Sequence, residues 1–153
     1  MARHPMRGKI TAPMDKVTLE LTADAKELPP FRNRLQTWLK EAGYPQKLSG
    51  EILVAVQEAL TNIIRHAYGG KQGKIGISYE DDGERVEIIL RDQGQPFDAE
   101  KIPPPELPPK KAGGLGLHLI KTLMDQVEYD ADREGNVIRM VKFKKGKEST
   151  EKP

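Results

Sequence analysis

Polar and apolar positions along this 153-residue chain change period several times, and each change marks an element. Residues 1–15 contain two prolines and no periodicity, which predicts a loose N-terminal arm with at most a short strand near Lys9-Ile10-Thr11. Val17-Thr18-Leu19-Glu20-Leu21 alternates as a half-buried strand does. Asp24 is placed to cap a helix that Pro29-Pro30 can restart and that Gly43-Tyr44-Pro45 breaks, with Phe31, Leu35, Trp38 and Leu39 as its apolar stripe. The clearest helix is expected over 48–68. At about 100° per residue, Ile52, Leu53, Val56, Leu60, Ile63, Ile64 and Ala67 fall in one arc, and Glu58, Asn62 and Arg65 cluster on another. Beyond Gly69-Gly70, Lys74–Glu80 and Arg85–Arg91 read as a hairpin joined at Asp81-Asp82-Gly83. Residues 93–113 lack periodicity and hold six prolines; a helix over about 115–126 and a hairpin over 127–132 and 136–143 follow. Helices interspersed with hairpins predict a single domain of the α+β class. The expected architecture is a two-layer sandwich, a mixed, mostly antiparallel sheet with about three helices on one face.

Charge and composition narrow the function classes. Lys+Arg 25 against Asp+Glu 23 leaves a net charge of +2, too balanced for direct nucleic-acid binding. The excess basic residues lie near the ends, Arg3, Arg7 and Lys9 at one and Lys142, Lys144, Lys145 and Lys147 at the other. Such blocks are expected to be solvated, with 145–153 a disordered basic tail. The absence of cysteine excludes disulfides and thiolate metal sites. No apolar run resembles a signal peptide or a membrane span, so a cytoplasmic protein without a membrane partner is expected.

Three short stretches carry candidate chemistry. Glu58 and Asn62, one helical turn apart, can bring a carboxylate and an amide oxygen to one point. Phosphoryl transfer uses such a pair to orient a hydroxyl and to ligate Mg²⁺; alone, the pair would be read as a solvated polar face. Asp92 leaves the apolar strand Val86, Ile88, Leu90 and is followed by Gly94. Its carboxylate can accept a hydrogen bond from an adenine amino group, and glycine lets the ring approach the backbone; alone, this is an ordinary Asp-x-Gly turn. Gly113-Gly114-Leu115-Gly116 opens a helix, where free N–H groups favour an anion, with Lys110 and Lys111 adding charge. No Gly-Lys-Ser/Thr follows and no strand precedes these glycines, which excludes a Walker loop and a dinucleotide-binding turn. His4, His66 and His118 are too scattered for zinc. Asp130–Gly135 imitates the start of a calcium loop, but Val141 stands at the twelfth position.

In this order the stretches resemble the N, G1 and G2 boxes of the superfamily containing DNA gyrase, heat-shock chaperone ATPases, histidine kinases and mismatch-repair ATPases. Over residues 48–143 the chain is most similar to the small anti-sigma-factor serine/threonine kinases of bacteria. The similarity rests on Glu58-Ala59-Leu60-Thr61-Asn62-Ile63-Ile64-Arg65-His66-Ala67-Tyr68, Asp92-Gln93-Gly94 with Phe97-Asp98, and Gly113-Gly114-Leu115-Gly116-Leu117. It implies a Bergerat ATP-binding fold, ATP and Mg²⁺ as cofactors, Glu58 as catalytic base, Asn62 as metal ligand and Asp92 as adenine anchor. It makes Gly94 a floor under the base, Gly113, Gly114, Gly116 and Leu117 the phosphate side, and 95–112 the ATP lid. Arg65, Phe97, Lys111 and Leu115 complete the nucleotide-binding set. The implied partners are a sigma factor and an anti-anti-sigma antagonist, with room for a homodimer. Two positions depart from the family pattern: Ala112, where some relatives are basic, and Asn136-Val137, where many carry threonines. They leave open a second reading, a nucleotide-gated protein-binding module of the same fold without kinase activity.

Overall fold

A computed structural model describes residues 14–96 and 116–145. Five strands form one sheet in the order β1-β2-β3-β5-β4, with β1 at Met14–Thr22, β2 at Lys74–Asp81, β3 at Arg85–Asp92, β4 at Gln126–Asp132 and β5 at Gly135–Phe143. Every described pair is antiparallel, the limiting case of the mostly antiparallel sheet expected. Helices α1 (Leu28–Glu41), α2 (Gln46–Asn62) and α3 (Gly116–Leu123) share one core with the inward side chains of the strands.

Register explains why one sheet face can be buried. Alternate residues of β2, β3 and β5 line up in rows: Ile75 with Asp92 and Asn136, Ile77 with Leu90 and Ile138, Tyr79 with Ile88 and Met140, Asp81 with Val86 and Lys142. The two middle rows are apolar and buried, and Phe31 and Trp38 of α1 meet the Tyr79 ring edge-on, with centroids 6.2 and 4.8 Å apart. Apart from the Tyr79 hydroxyl, the polar side chains of the face lie in its two outer rows, where burial makes a partner valuable.

Several boundaries differ from the sequence reading. Strand β1 starts at Met14, inside the expected loose arm, because an irregularity between Met14 and Val17 lets the pairing continue past the break in alternation at Asp15-Lys16. Asp24 caps a separate 3-10 turn at Ala25–Glu27, its Oδ1 accepting from the Lys26 amide at 2.9 Å, and the two prolines then occupy the first turn of α1. Helix α3 stops at Leu123: Met124 still bonds back to Ile120, but the Asp125 amide has turned to the Val141 carbonyl of β5. Lys142 and Lys144 are not solvated. Lys142 is buried, pairs with Glu51 at 3.0 Å and donates to the Leu123 carbonyl. Lys144 donates to the Ala42 carbonyl at 2.7 Å and lies 3.6 Å from Asp81. Their residue type reads as tail, yet their positions at the end of β5 point them into the helical layer. The strand expected at Lys9–Thr11, residues 97–112 of the expected lid, and the tail from 146 lie outside the described residues.

Candidate functional site

At the Asp92–Asn136 end of the sheet, α2, α3 and the strands leave a cleft that is open to solvent. Its walls are mainly apolar: Ala59, Ile63 and Ala67 from the α2 side, Leu117 and Ile120 from α3, Tyr129 and Ile138 from the sheet. Four polar side chains join them, Asn62, His66, Asp92 and Asn136. Such a cleft can take a flat apolar ring and address its edge at fixed polar points.

Asp92 ends β3 on the buried face. Its Oδ1 accepts from the Gly94 amide at 2.8 Å and from the Asn136 side-chain amide at 2.7 Å. Its Oδ2 has no hydrogen-bond partner among the described residues. One oxygen is therefore spent on holding the carboxylate still, and the other remains an acceptor.

Helix α2 does not continue regularly through the motif. After Asn62 the chain widens into a π turn over Ile63–Ala67, closed by the Tyr68 amide bonding to the Ile63 carbonyl at 3.0 Å. A wider turn advances less per residue, so the register lags behind the 100° wheel. Even on the regular wheel His66 stands about 40° from Asn62 toward the apolar stripe and Arg65 about 60° away on the other side, and it is His66 that lines the cleft with Asn62. His66 was missed because the histidines were weighed only as zinc ligands, although its spacing of four from Asn62 places it on the same side of the helix. Glu58 sits one turn before Asn62, half-buried, outside the cleft lining and without a hydrogen bond or ion pair to the described residues.

Gly94 also makes a close backbone contact that its local sequence does not announce. A Cβ there would lie 2.4 Å from the Ala67 carbonyl oxygen and 2.8 Å from the Ala67 Cβ, so the glycine lets the exit of β3 pack against the π turn. The Gln95 amide fixes that approach with a 2.7 Å bond to the same carbonyl. Leu117 is buried at the start of α3 and lines the cleft; Gly116 opens that helix. Phe97, Lys111, Gly113, Gly114 and Leu115 lie outside the described residues. The structure thus brings Asn62, Asp92 and Leu117 to one cleft, with Gly94 supporting it. It adds Asn136, which the sequence marked only as a departure from a pattern.

Comparisons with known proteins agree with this fold. A histidine kinase-like ATPase domain matches residues 21–142. The serine-protein kinase RsbW of Halalkalibacterium halodurans is 39% identical over 136 residues, covering 82% of this chain and 83% of that protein. That of Listeria innocua is 35% identical over 138 residues, covering 84% and 87%. Among solved structures, the RsbU and RsbW domains of a Mycobacterium tuberculosis protein superpose with a TM-score of 0.63 at 18% identity, over 85% of this chain and 32% of that one. The histidine kinase domain of a blue-light activated kinase from Erythrobacter litoralis gives 0.52 at 16% identity, over 77% and 61%. Identities this low speak for the fold alone.

Proposed function

Because the chain belongs to the RsbW family of serine-protein kinases, within the histidine kinase-like ATPase domains, we propose that its cleft binds Mg²⁺-ATP and that the protein regulates transcription by switching partners. It phosphorylates a serine or threonine of an anti-anti-sigma antagonist and holds a sigma factor inactive until the unphosphorylated antagonist displaces it. The observation that carries this reading is the Asp92 carboxylate, with Oδ1 immobilised and Oδ2 left as an acceptor at the end of an apolar cleft.

The chemistry follows from the side chains present. The adenine ring lies between apolar walls and its amino group donates to Asp92 Oδ2. Asn62 offers an amide oxygen, the hard ligand type that magnesium prefers when phosphates and water complete its shell. A magnesium ion held by Asn62 would supply charge neutralisation at the phosphates. The phosphates fall to Gly116 and Leu117 at the start of α3 and, by the family motif, to Lys111, Gly113, Gly114 and Leu115, which lie outside the described residues. Glu58, unpaired among the described residues, accepts the proton of the incoming hydroxyl. A bond then forms from that oxygen to the γ-phosphorus, the bond to the ADP oxygen breaks, and the products are a phosphoprotein and ADP.

Incubation with Mg²⁺ and γ-labelled ATP, together with each anti-anti-sigma-type protein of the source cell, tests the proposal. Wild type labels one of them on a hydroxyl residue. Glu58→Gln keeps ATP affinity in calorimetry but loses transfer by about 10²–10⁴-fold, the usual worth of a general base. An ATP-saturated wild type that labels none of them overturns the kinase assignment.

A further inference from the structure

Three consecutive residues of β5 grip the end of α3. The Val141 carbonyl accepts from the Asp125 amide at 2.9 Å, and the Phe143 amide donates to Asp125 Oδ2 at 2.7 Å. Between them Lys142 sends its Nζ to the carbonyl of Leu123, the last residue of α3. No glycine stands between Leu123 and the start of β4 to close the final helical turn through its own backbone, and a side chain closes it instead. A cation at this end also meets the negative pole of the helix. Lys142 is 7% exposed, and its Nζ lies 3.0 Å from Glu51 Oε1. Glu51 stands two turns before Glu58 on α2, about 20° around the helix from it. One ammonium group therefore joins β5, the end of α3 and the helix that carries Glu58 and Asn62.

Stability does not explain a charge in this place. A buried ion pair contributes little more than well-packed apolar side chains of the same volume, and often less. What it adds over an apolar side chain is direction, because an ammonium group is held to acceptors at fixed points. The far end of α3 needs such control. Leu117 and Ile120 are walls of the cleft, and Gly116 opens the helix there. Its eight residues span about 12 Å, so a swing of about 10° around the C-terminal end moves the first turn by about 2 Å. A hydrogen bond to a phosphate oxygen tolerates far less than that. We propose that Lys142 is a positioning residue for phosphoryl transfer. It fixes the tilt of α3 against α2, and so sets the distance from the first turn of α3 to Glu58 and Asn62. Lys142 is not itself among the residues that line the cleft. Its role rests on the ATP-site reading.

Calorimetric titration of the full chain with Mg²⁺-ATP, and with adenosine by displacement of Mg²⁺-ATP, tests it in wild type, Lys142→Met, Lys142→Arg and Glu51→Gln. Adenosine keeps the base and lacks the phosphates, so the ratio of the two affinities reads the phosphate end alone. Lys142→Met keeps the length of the stem and removes the charge. It is expected to lower Mg²⁺-ATP affinity about tenfold, roughly one hydrogen bond to a charged group, and to leave adenosine within about twofold. Lys142→Arg, which retains a cation and its donors, recovers most of the ratio. A lysine that only stabilises the fold predicts a lower melting temperature with the ratio unchanged. A wild type that binds no Mg²⁺-ATP overturns the ATP site and this role together. A wild type that binds Mg²⁺-ATP, beside a folded Lys142→Met with the wild-type ratio, overturns the role of Lys142 alone. If Lys142→Met melts below the assay temperature, Glu51→Gln decides in its place. It weakens only the tie to α2, so its ratio should fall about threefold in the same direction, and an unchanged ratio overturns the proposal.

Discussion

The backbone of Ala67 fills the volume that any side chain at Gly94 would need. Adding one methyl group therefore moves backbone, not a flexible side-chain end, and overpacking of that kind costs about 1–3 kcal/mol. Gly94→Ala should lower the melting temperature by roughly 2–4 °C per kcal/mol. It should also weaken ATP, because Ala67 is itself a wall of the cleft. Thermal melting and calorimetry check the two effects together; an unchanged melting temperature contradicts the tight floor described. At this scale the sequence was partly legible. Asp92 and Gly94 stood out as an Asp-x-Gly after an apolar strand, but the reason for the glycine is a contact made from a helix about 27 residues earlier, which local spacing does not encode. Asn136 was visible only as an unusual residue, since its partner lies 44 positions away and becomes its neighbour only when β3 and β5 pair.

Elements with a clean period were read almost to the residue. Both hairpins were expected within one or two positions, because alternation and the Asp82-Gly83 and Glu134-Gly135 turns agree locally and globally. The π turn was not, since an underwound stretch still shows an apolar stripe. Its consequence for the sheet can be tested through Tyr68, which follows it. The Tyr68 hydroxyl donates to the Lys74 carbonyl at 2.6 Å and accepts from the Gln93 amide at 2.9 Å, so one phenol joins the start of β2 to the exit of β3 beside Asp92. Tyr68→Phe removes both bonds without changing ring packing over Gly73. The Gln93 amide should then exchange with solvent several-fold faster, in line with losing a bond worth about 0.5–1.5 kcal/mol, while the middle strand rows keep their protection. Unchanged exchange at Gln93 counts against the bridge.

Across the whole molecule, the buried sheet face ends in polar groups twice, and the two ends are built for different purposes. At the cleft end one Asp92 oxygen has no partner among the described residues. At the opposite end Asp81 is buried, its Oδ1 accepting from the Tyr44 hydroxyl at 2.7 Å, while Lys144 lies 3.6 Å from Oδ2 and 4.9 Å from the centre of the Tyr44 ring. That knot joins the turn between α1 and α2, the end of β2 and the chain after β5. Tyr44→Phe leaves the buried carboxylate without its donor and should destabilise the fold by about 1–3 kcal/mol. Burial, reinforced by the bond to Asp81, pushes the Tyr44 phenol well above its ordinary value. The sign follows: a group whose folded pKa is raised contributes fully below its unfolded pKa, about 10, and loses that contribution as pH climbs above it. There the unfolded chain gives up a proton that the native state must keep. Wild type should therefore exceed Tyr44→Phe in melting temperature by a constant margin from pH 7 to 9, and the margin should shrink steadily above pH 10. Titratable groups common to both proteins cancel in that difference. A margin that stays constant to pH 11 would mean that the Tyr44 hydroxyl ionises as freely in the folded protein as in the unfolded chain, and the buried bond to Asp81 would have to be abandoned.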